Sequence, residues 1–375
     1  MKKVLVPRVR FKGFGEDWKE DTIGNIANIT NGKLDANAMV KSGMYNFYTS
    51  GIDVYKIDKY SFEGEGISIA GNGVNMGYMH LVSGKYNAYQ RTYILNNIKI
   101  DRHFLFYNLW KNFWEFCQKN TREGSIPYLL YNDISDFKIF KSHSNEQQKI
   151  GKLLDQISNL INLENSKLNK LKQLKETLLE KMFPEGNSKR PRIRFKWFSE
   201  EWNEEKLDDI FKVITGGEPP KNYKNSKHPV GKYKYPIYSN GQEANAIWGF
   251  SDNYSINTEA ITISSIGTIG FPVVRKMFFT PIIRLKTLLP YNKNMNINFL
   301  NLSVSQINFS FNQAGIPSMN SNQLKDNIIL ISRNFSEQQK IGDFFSKLDN
   351  LISLYQSKLK KIKQIKEALL QKMFV

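Results

Sequence analysis

The side chains that usually carry out catalysis are few in this sequence, and their spacing fits no common reaction centre. The four histidines, His80, His103, His143 and His228, do not occur in an HExxH arrangement, and a single cysteine cannot complete a cysteine zinc site. No GxxxxGK[ST] phosphate loop occurs, and the Gly/Asn-rich segment 71–77 is one residue too long for the dinucleotide fingerprint. We therefore predict no catalytic residue and no metal site, although a nuclease site built from dispersed carboxylates stays open as an alternative.

The charge of the chain favours a polyanionic partner instead. Lys and Arg number 53 against 35 Asp and Glu, which gives a net charge of +18. Such a surplus indicates nucleic acid first and an anionic membrane surface second. Residues 1–144 carry a net charge of +5 and residues 184–335 one of +7, whereas segments 145–183 and 336–375 carry only +2 and +4. The two longer segments are therefore the expected binding surfaces.

Three segments combine cations with the amide, hydroxyl and guanidinium groups that read base edges. Residues 215–229 hold glycines and prolines for a defined loop together with three lysines, and an ordinary solvated loop is the alternative. The Gly/Asn loop 71–77 and its counterpart 264–270 allow a close backbone approach to a ligand, although any tight turn needs the same residues. Gln90 and Arg91 match adenine and guanine in bidentate geometry, although Arg91 can equally form a structural ion pair.

We expect the lysines of residues 221–234 to contact mainly phosphates, and the neutral polar groups to contact bases together with one arginine. The predicted base-edge residues are Asn72, Asn75, Gln90, Arg91, Asn222, Ser265 and Thr268. The remaining predicted DNA-binding residues are Lys33, Lys221, Tyr223, Lys224, Lys227, Lys232 and Lys234.

Neither export nor membrane insertion is expected from the sequence. Only three apolar residues stand between Lys3 and Pro7, too few for the apolar core of a signal peptide that begins with Lys2 and Lys3. No apolar run approaches the ~18 residues of a membrane helix. The single cysteine fits a reducing compartment, so we predict a cytoplasmic protein without a membrane partner.

The elements that must position the candidate residues occur twice. Residues 7–26 align with residues 191–210 with ten identities in twenty positions, and residues 145–183 align with residues 336–374 with 23 in 39. Between these anchors the similarity is faint but collinear. Two copies are too few for a solenoid, so the repeat indicates a pseudo-twofold molecule.

The strongly repeated segments predict two long helices. Asn145 and Ser336 are the predicted N-caps, with Gln148 and Gln339 as their capping-box partners, and Pro184 ends the first helix. Apolar residues recur every seven positions over about five heptads, which is typical of a coiled coil. A homodimer zipper is the alternative, but two copies in one chain favour antiparallel pairing within the molecule. The predicted seam includes Ile150, Ile157, Leu171, Leu178, Ile341, Leu348, Ile362 and Leu369.

The two variable segments predict a mixed α/β (α+β) fold. Short β-rich runs at 66–70, 93–95, 260–264 and 282–285 are bounded by Gly and Asn turns. Residues 105–116 are apolar at helical spacing, so their aromatic side chains are expected in a core rather than as a base-stacking platform. The predicted organisation is a first domain at 1–144, a helix at 145–183, a second domain at 184–335 and a helix at 336–375.

Five motifs carry a resemblance to a known family over the whole chain. They are the repeated PRxRF…W start at 7–18 and 191–202, IAGNGVNMGY at 69–78, AYQRTYIL at 88–95, GSIPYL at 124–129, and the paired EQQKIG…LLxKMF segments at 146–183 and 337–374. In these motifs the chain resembles the specificity subunit of type I restriction-modification systems. The resemblance implies two target recognition domains that each read half of a split site in double-stranded DNA.

The resemblance also implies partners and a division of labour. The repeated helices would form an antiparallel coiled coil that sets the gap between half-sites and docks two modification (methyltransferase) subunits, with restriction/translocase subunits as further partners. S-adenosylmethionine, ATP and Mg would be bound by those subunits for adenine-N6 methylation and cleavage, with no cofactor and no catalysis in this chain. Because loops 71–77 and 265–270 differ in length and composition, we expect two different half-sites. The alternative is a coiled-coil scaffold whose basic domains bind nucleic acid nonspecifically.

Overall fold

The chain forms two compact units. Unit 1 comprises residues 1–166 and 357–375, and unit 2 comprises residues 167–356. Lys2 and Lys3, and the Gly-Ser pair that begins GSIPYL, lie outside the described residues. The computed structural model describes residues 5–119, 126–241, 246–313 and 315–375.

Unit 1 contains two four-stranded sheets, a strand pair and helices. Its strands are β1 (Lys19–Thr22), β2 (Asn28–Asn31), β3 (Tyr45–Tyr48), β4 (Val54–Ile57), β5 (Phe62–Glu63), β6 (Gly66–Ala70), β7 (Met79–Val82), β8 (Lys85–Ala88), β9 (Thr92–Asn96) and β10 (Lys138–Lys141). Its helices are α1 (Ile23–Ile26), α2 (Arg102–Lys119), α3 (Tyr131–Ser135) and the first part of α4 (Ser144–Met182). The sheets have the orders β2-β9-β6-β7 and β4-β3-β8-β5, and β1 pairs with β10.

Unit 2 repeats this plan. Its strands are β11 (Asn203–Lys206), β12 (Phe211–Thr215), β13 (Tyr223–Lys224), β14 (Tyr235–Tyr238), β15 (Ile247–Ser251), β16 (Ala260–Ser264), β17 (Gly270–Arg275), β18 (Thr280–Pro281), β19 (Lys286–Pro290) and β20 (Ile328–Ile331). Its helices are α5 (Leu207–Ile210), α6 (Ile297–Ser305), α7 (Ser321–Lys325), the last part of α4 and the first part of α8 (Phe335–Met373), and the last part of α8 belongs to unit 1. The sheet order β12-β19-β16-β17 matches β2-β9-β6-β7, and in both units the second sheet holds one parallel pair, β3-β8 or β14-β18. The mixed α/β repeat is therefore confirmed.

The core of unit 1 lies on both faces of its antiparallel sheet. Ile67 and Ile69 of β6 cluster with Leu109 and Phe113 of α2 on one face. Other side chains of this sheet, Val82 and Ile94, cluster with tyrosines of the second sheet, Tyr48 and Tyr86. Strand β6 is buried along its whole length for this reason. The prediction that the aromatic residues of 105–116 belong to a core is confirmed.

One of the four predicted strands is wrong. The runs at 66–70, 93–95 and 260–264 lie in β6, β9 and β16, but residues 282–285 form a bridge and a turn before β19 begins. Ile283 and Arg284 have positive φ angles of 53° and 60°, which a strand does not contain. Their amides donate to the carbonyls of Gly217 and Gly216 rather than to a neighbouring strand. Tertiary bonding to this glycine pair overrides the local β preference.

The two long helices begin earlier than the predicted N-caps imply. Asn334 Oδ1 accepts from the amides of Ser336 (3.0 Å) and Glu337 (3.3 Å), so Asn334 caps α8 and the predicted cap at Ser336 is wrong. Helix α4 likewise begins at Ser144 rather than after a cap at Asn145. Gln339 donates to Asp343 instead of closing a capping box. Helix α4 ends at Met182, ahead of the proline at 184.

The predicted seam residues of α4 and α8 are shielded from solvent. Three of them are buried and five are half-buried: Ile150, Ile341 and Leu348, then Ile157, Leu171, Leu178, Ile362 and Leu369. In unit 1, Ile150 and Leu154 cluster with Leu370 and Met373. Farther along the same helices, Glu164 pairs with Lys358 at 3.0 Å.

The same kind of contact recurs in unit 2. Ile341 and Phe345 near the start of α8 cluster with Leu178 and Met182 near the end of α4. Lys175 pairs with Asp349 at 2.5 Å. Each unit thus joins the beginning of one long helix to the end of the other.

A buried ion pair fastens each unit to a long helix. In unit 1, the fully buried carboxylate of Glu146 accepts from Arg10 Nε and Nη2 at 2.8 Å and from Trp18 Nε1 at 3.3 Å. The hydrogen bond to Glu146 raises the pKa of Arg10. The repeat of this group in unit 2 is Arg194, Trp202 and Glu337. We call each set an Arg–Glu–Trp clamp.

Candidate nucleic-acid interface

The structure brings the candidate residues of unit 1 to one edge of its antiparallel sheet. The end of β2 pairs with the beginning of β9, and so does the end of β6. Lys33 follows β2, Asn72 and Asn75 follow β6, and Gln90 and Arg91 precede β9. Backbone bonds join the three loops, since Gln90 N donates to Leu34 O and Gly71 N donates to Arg91 O, both at 2.8 Å. We call this the loop edge of unit 1.

The side chains at this edge differ in how free they are to bind a ligand. Lys33, Gln90 and Arg91 are exposed, and no side-chain hydrogen bond joins them to other residues that the structure describes. Asn72 is half-buried, and its Oδ1 accepts from Ser50 Oγ at 2.6 Å. Its NH2 group remains available as a donor, and its oxygen keeps one further lone pair. Asn75 is half-buried as well.

The loop edge of unit 2 has the same construction. The last residue of β12, Thr215, pairs with the first residue of β19, Lys286, and Ile263 of β16 pairs with Lys286 from the other side. The turn that carries Ser265 and Thr268 follows β16. In both units a glycine with positive φ donates to a proline carbonyl at 2.8 Å, Gly73 to Pro127 and Gly267 to Pro317. The two turns are therefore held by the same bond although their sequences differ.

Ser265 is buried inside this edge rather than displayed by it. Its amide donates to Asn240 Oδ1 at 2.8 Å, and its hydroxyl donates to the carbonyl of Arg284 at 2.6 Å. These contacts make Ser265 a support for the neighbouring turns, and its contact with a base stays a prediction. Thr268 is exposed.

The lysine-rich residues of unit 2 lie in and beside its second sheet, β13-β15-β14-β18. Tyr223 and Lys224 form β13, which pairs with β15, and Tyr223 packs on Trp248 with ring centroids 4.7 Å apart. Lys232 binds Asp252 at 3.1 Å, and this hydrogen bond raises the pKa of Lys232. The charge of Lys232 is therefore partly neutralised within the unit. The exposed members of the predicted set here are Lys221, Asn222, Tyr223, Lys224, Lys227, Lys232 and Lys234.

Sequence reasoning missed Arg284, the counterpart of Arg91. Each arginine lies just before the central strand of its sheet, and each offers its carbonyl to the turn after β6 or β16, Arg91 to Gly71 N and Arg284 to Ser265 Oγ. Arg284 is exposed, and no hydrogen bond or ion pair of its guanidinium to another described residue is present. Aligning RTYIL at 91–95 with RLKTL at 284–288 would have found it.

Two features are absent from the described residues. No group of three or more His, Cys, Asp or Glu side chains lies close enough to hold a metal ion. None of the helices there is both long and apolar enough to span a bilayer.

Sequence comparison identifies the family of the chain. A family model described as the type I restriction modification DNA specificity domain matches residues 15–173 and again residues 199–364. The specificity subunit of the type I restriction enzyme EcoDI of Escherichia coli is 36% identical over 141 residues, which cover 38% of this chain and 31% of that relative. A putative type I specificity subunit of Mycoplasma pneumoniae is 27% identical over 329 residues, covering 85% of this chain and 86% of the relative.

Solved structures share the fold. The S subunit of a type I restriction-modification system from M. genitalium superposes with a TM-score of 0.74 at 18% identity, covering 99% of both chains. A chain from a study of type I complex assembly and conformational transition gives a TM-score of 0.52 at 14% identity, covering 98% of this chain and 99% of that one. Together with the two family matches along the sequence, these comparisons establish that the chain belongs to the family of type I restriction-modification DNA specificity proteins.

Proposed function

We propose that this chain is the DNA-recognition subunit of a type I restriction-modification complex and that each unit reads one half of a split site. The observation that carries the proposal is the repeated loop edge. Each unit ends its antiparallel sheet in three joined loops, and each edge displays an arginine, Arg91 or Arg284, beside polar side chains. Guanidinium, amide and hydroxyl groups on exposed loops are the groups that bind base edges and backbone phosphates. Two such edges in one chain fit a bipartite target.

The long helices act as the spacer between the two readers. Contacts inside each unit support antiparallel pairing, because positions that advance along α4 meet positions that recede along α8. In unit 1 the partners run from Ile150 with Met373 to Glu164 with Lys358. We propose that this pairing continues as a coiled coil, with domains at 1–144 and 184–335 and spacer helices at 145–183 and 336–375. A rigid spacer fixes the number of base pairs between half-sites.

Repeated apolar residues on these helices favour two copies of one partner. Three side chains of α4 are exposed although apolar, and the corresponding three of α8 are exposed in the same way. Exposed apolar groups of this kind mark protein interaction surfaces. We propose that they dock two modification subunits, with restriction/translocase subunits joining the assembly in the cytoplasm. The residues are Leu160, Leu163 and Leu174, repeated as Leu351, Leu354 and Ile365.

Catalysis belongs to those partners in this proposal. S-adenosylmethionine, ATP and Mg would be bound by the modification and restriction subunits, and this chain would bind no cofactor. The alternative, a coiled-coil scaffold with nonspecific basic domains, predicts binding with a steep salt dependence and no preference among sequences. The family match and the relatives do not favour it.

Mapping adenine methylation tests the proposal directly. A host without other N6-adenine methylation would express the chain with its modification subunit, and its genome would be sequenced for N6-methyladenine. We expect one motif in two parts with a constant gap, and no methylation when the modification subunit is expressed alone. Methylation without a motif would favour the scaffold. Equal methylation of sites whose gap is longer by two base pairs would overturn the spacer role of the helices.

A further inference from the structure

A buried lysine occupies the loop edge of unit 2 without a carboxylate partner. Lys286 is 5% exposed, and its Nζ donates to Thr215 Oγ1 at 3.0 Å and to Ser321 Oγ at 2.9 Å. No Asp or Glu of the described residues lies within ion-pairing distance of Lys286, and the nearby charge that acts on it is that of Arg284. Burial and this second cation both lower the pKa of Lys286. Two like charges held together at a partly dry site are costly unless an anion joins them.

The hydrogen bonds leave two N–H or O–H donors of this group without an acceptor, whereas only one hydroxyl oxygen keeps a free lone pair. The ammonium donates to both hydroxyl oxygens, and these oxygens are 3.2 Å apart, so one hydroxyl donates to the other. The proton of the remaining hydroxyl and the third ammonium N–H then find no acceptor among the residues that the structure describes. Thr215 is exposed, so its hydroxyl can reach a ligand from solvent. An ammonium on its oxygen also polarises this O–H, which makes it a better donor.

The group adjoins the turns that the proposed function assigns to DNA. Thr215 precedes the glycine pair whose carbonyls accept from Ile283 and Arg284. Ser321 follows Met319, whose amide donates to the carbonyl of Ser265. Thr215 and Ser321, which accept from Lys286, are therefore both adjacent to residues of the loop edge.

We propose that Lys286, Thr215, Ser321 and Arg284 form a binding site for a backbone phosphate of the second half-site. The outward hydroxyl and the guanidinium bind the non-bridging oxygens, and Lys286 is a positioning residue that holds the hydroxyls as donors and supplies positive charge beneath them. An anionic oxygen fits this site better than a base edge because the guanidinium and the unused ammonium and hydroxyl protons are donors, and both charged side chains are cationic. This inference rests on the proposed function.

Unit 1 provides the matched comparison. Tyr93 occupies the position of Lys286, since Tyr93 pairs with Asn31 at the end of β2 as Lys286 pairs with Thr215 at the end of β12. The Tyr93 hydroxyl donates to Leu129 O at 3.0 Å, and the position is neutral. The phosphate site therefore belongs to unit 2 alone.

Salt-dependent DNA binding by the full chain with its modification subunits tests the site. Duplexes carrying the methylated motif and a scrambled motif would be titrated between roughly 50 and 200 mM salt. We expect Lys286→Met to weaken binding of both duplexes by the same factor and to reduce the slope of log K against log salt by about 0.9, the value for one B-DNA phosphate. Thr215→Val, which leaves the lysine in place, should weaken both duplexes equally, and Tyr93→Phe should leave the slope unchanged.

A neutral methylphosphonate placed at each phosphate of the second half-site in turn locates the contact. At one position the modified duplex should bind wild type and Lys286→Met with equal affinity. Altered discrimination at one base pair with an unchanged salt slope would overturn the phosphate assignment, as would normal binding by both Lys286→Met and Thr215→Val. If Lys286→Met also lowers the melting temperature, the DNA binding of Thr215→Val, which keeps the lysine, tests the site instead. Wild type that prefers no sequence would defeat the proposed function itself, which is a separate outcome.

Discussion

The two units are most alike where they meet the long helices and least alike at their loop edges. The aromatic ring set beside each clamp has the same spacing, with Trp18 and Phe104 at 5.4 Å in unit 1 and Trp202 and Phe299 at 5.3 Å in unit 2. At the loop edges, the neutral Tyr93 of unit 1 occupies the position that the cationic Lys286 has in unit 2. Turns of different length follow β6 and β16. The two units therefore share their contacts with the long helices and differ in the side chains and turns of their loop edges.

The physical reason is the difference between side-chain and backbone bonding. A buried clamp needs its own guanidinium, carboxylate and indole, so few substitutions preserve it. The loop edges are joined mainly by backbone bonds, such as those of Gly73 and Gly267 to proline carbonyls. Side chains on such loops can change while the loops keep their places, which suits a surface whose specificity must vary.

Removing the carboxylate of a clamp is expected to have the largest effect on stability. Glu337→Ala leaves the Arg194 guanidinium half enclosed and Trp202 Nε1 without its acceptor. Breaking a buried ion pair costs about 3–5 kcal/mol, and Glu146→Ala should cost about the same in unit 1. Urea unfolding followed by tryptophan fluorescence measures both losses.

Glu201→Ala serves as the control for the clamp variants. Glu201 forms only an exposed pair with Arg190 at 3.5 Å, so its removal should cost less than about 1 kcal/mol. A loss below about 1 kcal/mol for either clamp would show that the pair does not fasten that unit.

Alanine at Gly151 or Gly342, each five positions after a clamp glutamate, should have an intermediate effect on stability. A Cβ at Gly342 would lie 2.1 Å from Asn296 Oδ1, the N-cap acceptor of α6, and one at Gly151 would lie 2.5 Å from Asp101 Oδ1. Each alanine must displace a cap that bonds the following helix, and such overpacking costs about 1–3 kcal/mol. Gly15→Ala, where a Cβ meets nothing within 4 Å, is the control in the same unfolding assay. A loss in only one unit would contradict the equivalence of the two helix contacts.

The sequence predicted the elements whose formation depends on residues close together in the chain. The heptads of α4 and α8 and the apolar spacing of α2 are properties of neighbouring residues, and all three helices form. The run at 282–285 has the same local character as a strand, but Gly216 and Gly217 bind its amides from another part of the chain. The cap at Asn334 was missed because Asn334 and Ser336, two positions apart, are both residue types that cap helices well.

The clamps and the buried lysine had no local signal. Arg10 and Glu146 are 136 positions apart in the sequence, and neither residue type by itself indicates burial. Lys286 lies in an apolar run, where a lysine side chain usually reaches solvent. Its burial depends on hydroxyls supplied by β12 and α7, and only the fold brings these together.

The smallest expected effect is a pH dependence confined to unit 1. Asp21 binds Lys141 Nζ at 2.5 Å, and this hydrogen bond lowers the pKa of Asp21 to about 2 from an ordinary 3.8. A carboxylate with a depressed pKa stabilises the folded state above its ordinary pKa, and this contribution is lost as the pH falls from about 4 to about 2. Asp21→Asn should therefore lower stability at pH 7 by at most about 1 kcal/mol, because the pair is near the surface.

The corresponding ion pair of unit 2 is more exposed than the Asp21–Lys141 pair of unit 1. Glu205 pairs with Arg333 at 3.1 Å, but the Arg333 side chain is 70% exposed, so Glu205→Gln should cost only a few tenths of a kcal/mol. Urea unfolding of both variants at pH 7 and near pH 2 separates the two cases. The deficit of Asp21→Asn should largely disappear at the lower pH, where about half of the wild-type carboxylate is protonated. A deficit of equal size at both pH values would mean that Asp21 does not stabilise the fold through its charge.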